Sequence, residues 1–259
     1  MVYGFDSKAF AGMTLAFVLW LQGHAGHAVA RVDEAVAWAR HVDHASSTAL
    51  ALFYVVMIAQ QRGDRDTVLR VTQEILEMDA RHGLPAQAAY AAMMNSWAVR
   101  DEARLRGALD YMQAAGLGLG LSAYRSLLAE LCIERGDFAG ALAELDAIWA
   151  LARETEEGYW LPELLRMRGN CLRALHPDAH GDAERCFVEA LDIARSQGSM
   201  LHTLRGAAAQ ARLLADTGRR DEARKLLAPV LDWFDGQEPS DRFDWPDLLA
   251  ARQLCASLS

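Results

Sequence analysis

The chain has 259 residues, 52% of them hydrophobic and 24% charged, a composition that can bury a large core and excludes a disordered polypeptide. Its formal net charge is −9, and residues 101–200 hold 17 acidic side chains against 10 basic ones, so the chain repels phosphate backbones and nucleic acid is excluded as its partner. With only six prolines and no alternating Val/Ile/Thr run between turn residues, helix is expected almost everywhere.

Residues 9–21, AFAGMTLAFVLWL, followed by Ala28-Val29-Ala30, imitate a signal peptide and its cleavage site. The run is too short to span a membrane, Asp6 offsets Lys8 in front of it, and it passes directly into a repeat, so it is read as a first helix. Cys132, Cys171, Cys186 and Cys255 are far apart in apolar helical contexts and read as small buried hydrophobes of a reducing, cytoplasmic setting.

Four glycines, Gly23, Gly63, Gly136 and Gly218, punctuate the chain at spacings of 40, 73 and 82. The last two spacings are double steps of a period of roughly 37 to 41 residues. Five residues after each glycine an apolar stripe begins at i, i+4, i+7: Ala28/Val32/Ala35, Val68/Thr72/Ile75, Ala141/Leu145/Ile148 and Ala223/Leu227/Val230. A fifth stripe, Ala183/Phe187/Ala190, runs on through Leu191 and Ala194 to a terminating Gly198. Small alanines on either side of Phe187 let a neighbouring helix come close while the ring fills the space between axes.

Each period therefore predicts a helix, a tight turn and a second helix. In chain order the pairs fall at 7–22 with 26–42, 46–62 with 64–82, a third within 85–116, 121–135 with 137–154, 159–175 with 182–197, and 199–217 with 220–234. Pro85 suits a first helical position. Between Trp97 and Leu105 the third pair lacks a glycine and is about two helical turns short, so it is either a stunted hairpin or one helix continuing through Arg100-Asp101. Gln210 occupies a stripe position, and the turn around Pro177 is longer than the others. A last helix at 245–257, with Asp244 as N-cap, closes the stack. Because neither helix of a pair can bury its stripe alone, the pairs must stack, giving an all-α, right-handed solenoid of about six hairpins and a capping helix, as one domain over 1–259.

Paired helices with Gly before the turn and A-x-x-x-[FLV]-x-x-A after it resemble tetratricopeptide repeats. More specifically, EALDIARSQGS, AQARLLADTGRRDEARKLLAPVLDWF and DWPDLLAARQL look like the C-terminal repeat region of bacterial multidomain regulators, and YGFDSKAFAGMTLAFVLWLQGHAGHAVARVDEAVAWAR looks like its beginning. In those regulators an adenylate/guanylate cyclase or winged-helix domain precedes a STAND-type ATPase and then this region. No GxxxxGK[ST] loop and no cyclase or winged-helix segment is found in the sequence, so the resemblance implies the sensor or scaffold portion alone. The function it implies is non-catalytic protein binding in bacterial signalling or transcription.

Motifs that could carry chemistry have plainer readings. His24/His27 and His41/His44 are i, i+3 pairs at helix ends and lack the further ligands zinc needs, so no metal and no cofactor is expected. Gly116-Leu117-Gly118-Leu119-Gly120 follows no strand and is read as a connection rather than a phosphate loop. Arg62-Gly63-Asp64 and Arg135-Gly136-Asp137 sit at repeat turns, with Gly for the bend and Asp to cap the next helix. Glu154, Glu156 and Glu157 read as a solvated charge run, and no Gly-x-Ser-x-Gly, HExxH or Cys–His arrangement signals an enzyme.

In tetratricopeptide solenoids the first helices line the concave groove. Projected from the turn glycines, they offer Phe17, Trp20, Phe53, Tyr54, Met57, Ser126, Glu130, Glu134, Arg205 and Arg212, joined by Tyr90, Met94, Trp97 and Trp160. Apolar anchors beside acids suit a protein or peptide segment with basic groups. The alternative is a small-molecule pocket lined by Tyr90, Met94 and Trp97. A homo-oligomer through the end helices is open, no membrane is expected, and the short third pair is the expected hinge.

Overall fold

The computed structural model describes residues 4–118 and 120–258. Among them lie thirteen α-helices, one 3₁₀ turn at Pro239–Asp241 and no strand. The helices are α1 (Ser7–Leu21), α2 (Ala25–His41), α3 (Ala45–Gln61), α4 (Arg65–His82), α5 (Pro85–Ala98), α6 (Glu102–Ala114), α7 (Leu121–Glu134), α8 (Phe138–Glu154), α9 (Leu161–Leu175), α10 (Gly181–Ser196), α11 (Met200–Asp216), α12 (Arg220–Asp235) and α13 (Pro246–Ser257). None is long and apolar enough to cross a membrane.

The turns follow from their residues. Gly23, Gly63, Gly136 and Gly218 take φ of 89°, 69°, 80° and 81°, the left-handed region where a side chain is strained. Asp64 and Asp137 then accept the amides of Thr67 (3.0 Å) and Gly140 (2.9 Å), capping α4 and α8. In the third pair Arg100 stands in the glycine's place at φ 59°, and Asp101 caps α6 by accepting the Arg104 amide at 3.0 Å. That resolves the two readings of this stretch: it is a short hairpin, with helices of 14 and 13 residues, and not a continuous helix.

Three expectations need correcting. Asp244 does not cap the last helix; Trp245 holds the cap position without a side-chain bond, and Asp244 pairs with Arg252 at 2.6 Å. Cys132 and Cys171 are buried, but Cys186 and Cys255 are only half-buried. Glu157 is not a solvated charge: its carboxylate accepts the amides of Gly120 and Ser122, both at 2.9 Å, and so caps α7, whose N-terminus has no capping side chain of its own. Gln210 lies half-buried on the flank of α11. The glycine-rich connection includes Leu119, which lies outside the described residues.

The chain divides into two compact units, Met1–Leu119 and Gly120–Ser259. In the first, α1 packs on α3 and α3 on α5, while α2, α4 and α6 touch first helices but not one another. The second unit repeats this, with α7, α9, α11 and α13 forming the continuous layer and α8, α10 and α12 standing apart. Close first helices and splayed second helices give each unit a curvature with its first helices on the inside.

Phe187 of α10 shows how the pairs lock. It is wholly buried beside Ala183, Ala209 and Leu213, and its ring lies against Gly169 of α9, where any Cβ would collide with it. Gly206 of α11 gives Leu191 the same access.

Candidate functional site

The inner layers of the two units differ in chemistry. In the first unit α1, α3 and α5 carry a row of half-buried aromatics. Phe17 meets Tyr54 edge-on at 6.3 Å between ring centroids, and Phe53 lies 4.9 Å from Tyr90. Burial, with the Tyr54 phenol second, raises the Tyr90 pKa. Met57 is half-buried beside them in sequence, whereas Trp20, Phe53, Met94 and Trp97 are buried in the packing. The guanidinium of Arg65 lies 4.2 Å over the Trp97 ring, and the Trp97 indole N–H is buried with no acceptor among the described residues.

In the second unit the inner layer is ionic. Glu163 on α9, nearly fully buried, accepts from Arg166 through both oxygens, at 2.9 and 2.6 Å. Arg205 on α11 approaches the same carboxylate at 3.7 Å and donates to Asp247 of α13 at 2.7 Å. Burial opposes the charge on Glu163, but Arg166 and Arg205 outweigh it and hold the carboxyl well below the usual range. His202, one turn from Arg205, is buried too; burial pushes its pKa down to about 4 against the pull of Glu163, so the ring is neutral at pH 7. Its Nδ1 lies 3.0 Å from the Ser199 hydroxyl and its ring meets Trp160 edge-on. Trp160 in turn donates to Ser126 of α7 at 3.0 Å, so that a hydrogen bond and a ring contact at the start of α9 join α7 to α11.

Of the residues projected into this part of the groove, Ser126 and Trp160 are buried, Glu130 and Arg205 are half-buried, and Glu134 and Arg212 are exposed. Arg212 makes no hydrogen bond or ion pair among the described residues, and burial followed by the charges of Arg173 and Arg166 lowers its pKa. Reading the sequence missed Glu163, Arg166, His202 and Asp247. A signal existed in the i, i+7 pairs Arg166/Arg173 and Arg205/Arg212, one inside each of two helices otherwise written for packing. Burial pushes the Cys171 thiol up to about 11, away from the thiolate.

Residues 122–147 and 204–229 match the family model of the tetratricopeptide repeat. These stretches fall within α7–α8 and α11–α12. The chain is also 28% identical, over 212 residues, to an uncharacterized protein of Rhizobium meliloti (strain 1021); the alignment takes in 78% of this chain and 20% of that protein, so the chain spans about a fifth of its relative's length. The hairpins α7–α8 and α11–α12, stacked with their neighbours first helix on first helix, are thus matched to tetratricopeptide repeats, which are generally protein-interaction modules.

Proposed function

We propose that the chain is a non-catalytic docking module of a bacterial signalling or transcriptional regulator, working in the cytoplasm and holding a peptide or partner domain against its first helices. The observation that carries this reading is the aromatic row Phe17, Tyr54 and Tyr90, half-buried on three successive first helices, with Met57 on the same helix as Tyr54. Rigid aromatics on stacked helices contribute apolar area at low entropic cost, so the bound segment bears most of the ordering. The regulatory setting rests on the resemblance of the end segments.

The test is affinity capture from the native cytosol with the wild-type chain and a Tyr54→Ala/Met57→Ala variant whose helix content and urea midpoint match it. Loss of the same regulatory proteins from the variant is expected; equal recovery by both chains would refute the assignment.

A second reading, a receptor for an apolar small molecule near the third hairpin, rests on the acceptor-less indole N–H of Trp97 on α5, the helix that also carries Met94 and Tyr90. A ligand carbonyl there would satisfy it. Native mass spectrometry of the purified chain should then reveal a retained compound that Trp97→Phe releases, and a bare chain mass in both proteins would remove this reading.

A further inference from the structure

Two adjacent first helices of the second unit carry the same basic spacing. Arg166 and Arg173 stand i, i+7 on α9, Arg205 and Arg212 stand i, i+7 on α11, so each pair shares one helix face, and the two helices pack on each other. Three of these guanidiniums are matched to a carboxylate. Arg166 donates to both oxygens of Glu163, Arg205 to Asp247 at 2.7 Å and Arg173 to Asp216 at 2.9 Å. Arg166 is supported by a second carboxylate, Glu130 of α7. Arg212 has no hydrogen bond or ion pair among the described residues. Its surroundings also carry the wrong sign. Partial burial and then the charges of Arg173 and Arg166 lower its pKa, and Asp216, which opposes them, is already engaged by Arg173. Of the four arginines, Arg212 is the one whose counter-charge the described residues do not supply.

We propose that Arg212 is the docking point for a single acidic side chain, Asp or Glu, of a partner protein segment laid across the first helices of the second unit. The chain itself sets the chemistry, since each of the other guanidiniums on these faces takes a carboxylate, and Arg166 takes one through both oxygens. Arg173 can share the incoming group, because its pair with Asp216 is a surface one and holds little energy. Only one negative charge is wanted. Glu130 and Asp216 already act on these arginines and the whole chain carries −9, so further anions are repelled. That favours a lone carboxylate over a doubly charged phosphate or a nucleic-acid backbone. The site stands on α9 and α11 and needs none of the aromatic row.

The test is selection from a random peptide library, displayed with its C-terminus fused so that side chains are the only carboxylates, on the full chain and on its Arg212→Gln and Arg212→Glu variants. The wild-type chain should enrich Asp or Glu at one fixed position. Arg212→Gln should lose that preference, and Arg212→Glu should exchange it for Lys or Arg. The selected peptide, acetylated and amidated, should bind about 10-fold more weakly once its acid is replaced by the amide, and the difference should vanish on Arg212→Gln. The urea midpoint of Arg212→Gln should not fall, because the guanidinium holds nothing inside the chain. Repeating the selection on the Tyr54→Ala/Met57→Ala chain should return the same acidic position. No preferred acid, a preference that survives Arg212→Gln or is lost with Tyr54 and Met57, tighter binding of phosphoserine at that position, or a lowered urea midpoint would each overturn the proposal. Absence of an acidic preference leaves the docking assignment standing, since its own test reads Tyr54 and Met57.

Discussion

A methyl group added at Gly169 would press into the Phe187 ring, with Cδ1 at 2.8 Å and Cζ at 2.9 Å from it, and a wholly buried ring has nowhere to swing. Alanine gains about 1 kcal/mol over glycine in a helix interior, but overpacking a core costs about 1–3 kcal/mol, so Gly169→Ala should destabilise by up to about 2 kcal/mol in urea unfolding. Adding Phe187→Leu to that variant should return part of the loss, a coupling that a double-mutant cycle reads directly. The ion pairs of α9 make a larger claim. Glu163→Gln removes the carboxylate that Arg166 and Arg205 share, and removing one member of a buried charge network costs about 3–5 kcal/mol; Asp247 and Glu130, which still face these arginines, place the expected loss near the lower end, at about 3 kcal/mol. At this scale the sequence was legible where spacing alone decides, as with Phe187 between its alanines. It was silent on Glu163 and His202, because a charged or titratable residue on a packing face is recognisable only once its partners on other helices are placed.

Hairpins owe their ends to backbone chemistry that can be read residue by residue. Gly136 sits at φ 80° with open space around it, so Gly136→Ala should cost about 1 kcal/mol through backbone strain alone. Gly107, exposed within α6 and equally uncrowded, has no such need; Gly107→Ala should stabilise by about 0.5–1 kcal/mol by helix propensity. One substitution type with opposite signs at two positions, measured by thermal or urea melts, checks the turn assignment more sharply than either alone. The third hairpin explains why the sequence left two readings open. Arginine at φ 59° is rare enough that no propensity rule anticipates a left-handed turn there, and only Asp101 as a helix cap betrayed it. The cap of α7 was illegible for a different reason: Glu157 reaches it across 37 positions, beyond any local capping rule.

On the scale of the whole chain, acid should act in two stages. His202 is held neutral in the folded state, with a pKa near 4 against the ordinary 6.5, so its contribution is complete above pH 6.5 and is lost as pH falls toward 4, by up to about 1.4 kcal/mol per pH unit. Glu163, held ionised, adds its own loss only below the ordinary carboxylate range near 4.5. Urea midpoints measured from pH 7.5 downward should therefore begin to fall before Glu163 titrates, and His202→Gln should flatten that first limb. The division at Gly120 also predicts that residues 120–259 made alone melt cooperatively as a helical protein, since Glu157 and the α7 amides it caps stay on one piece. The stacking of pairs was readable because five stripes repeat at one period, whereas the contrast between an aromatic and an ionic inner layer emerged only when the first helices were brought side by side.

For anyone wishing to insert a fluorescent reporter or an epitope tag, the polar link between α8 and α9 looks permissive from its composition and is the wrong choice. Lengthening it would unhook Glu157 from the start of α7, a loss paid far from the graft. The exposed bend at 177–179, between α9 and α10, carries no such tether and is where foreign sequence should be tolerated.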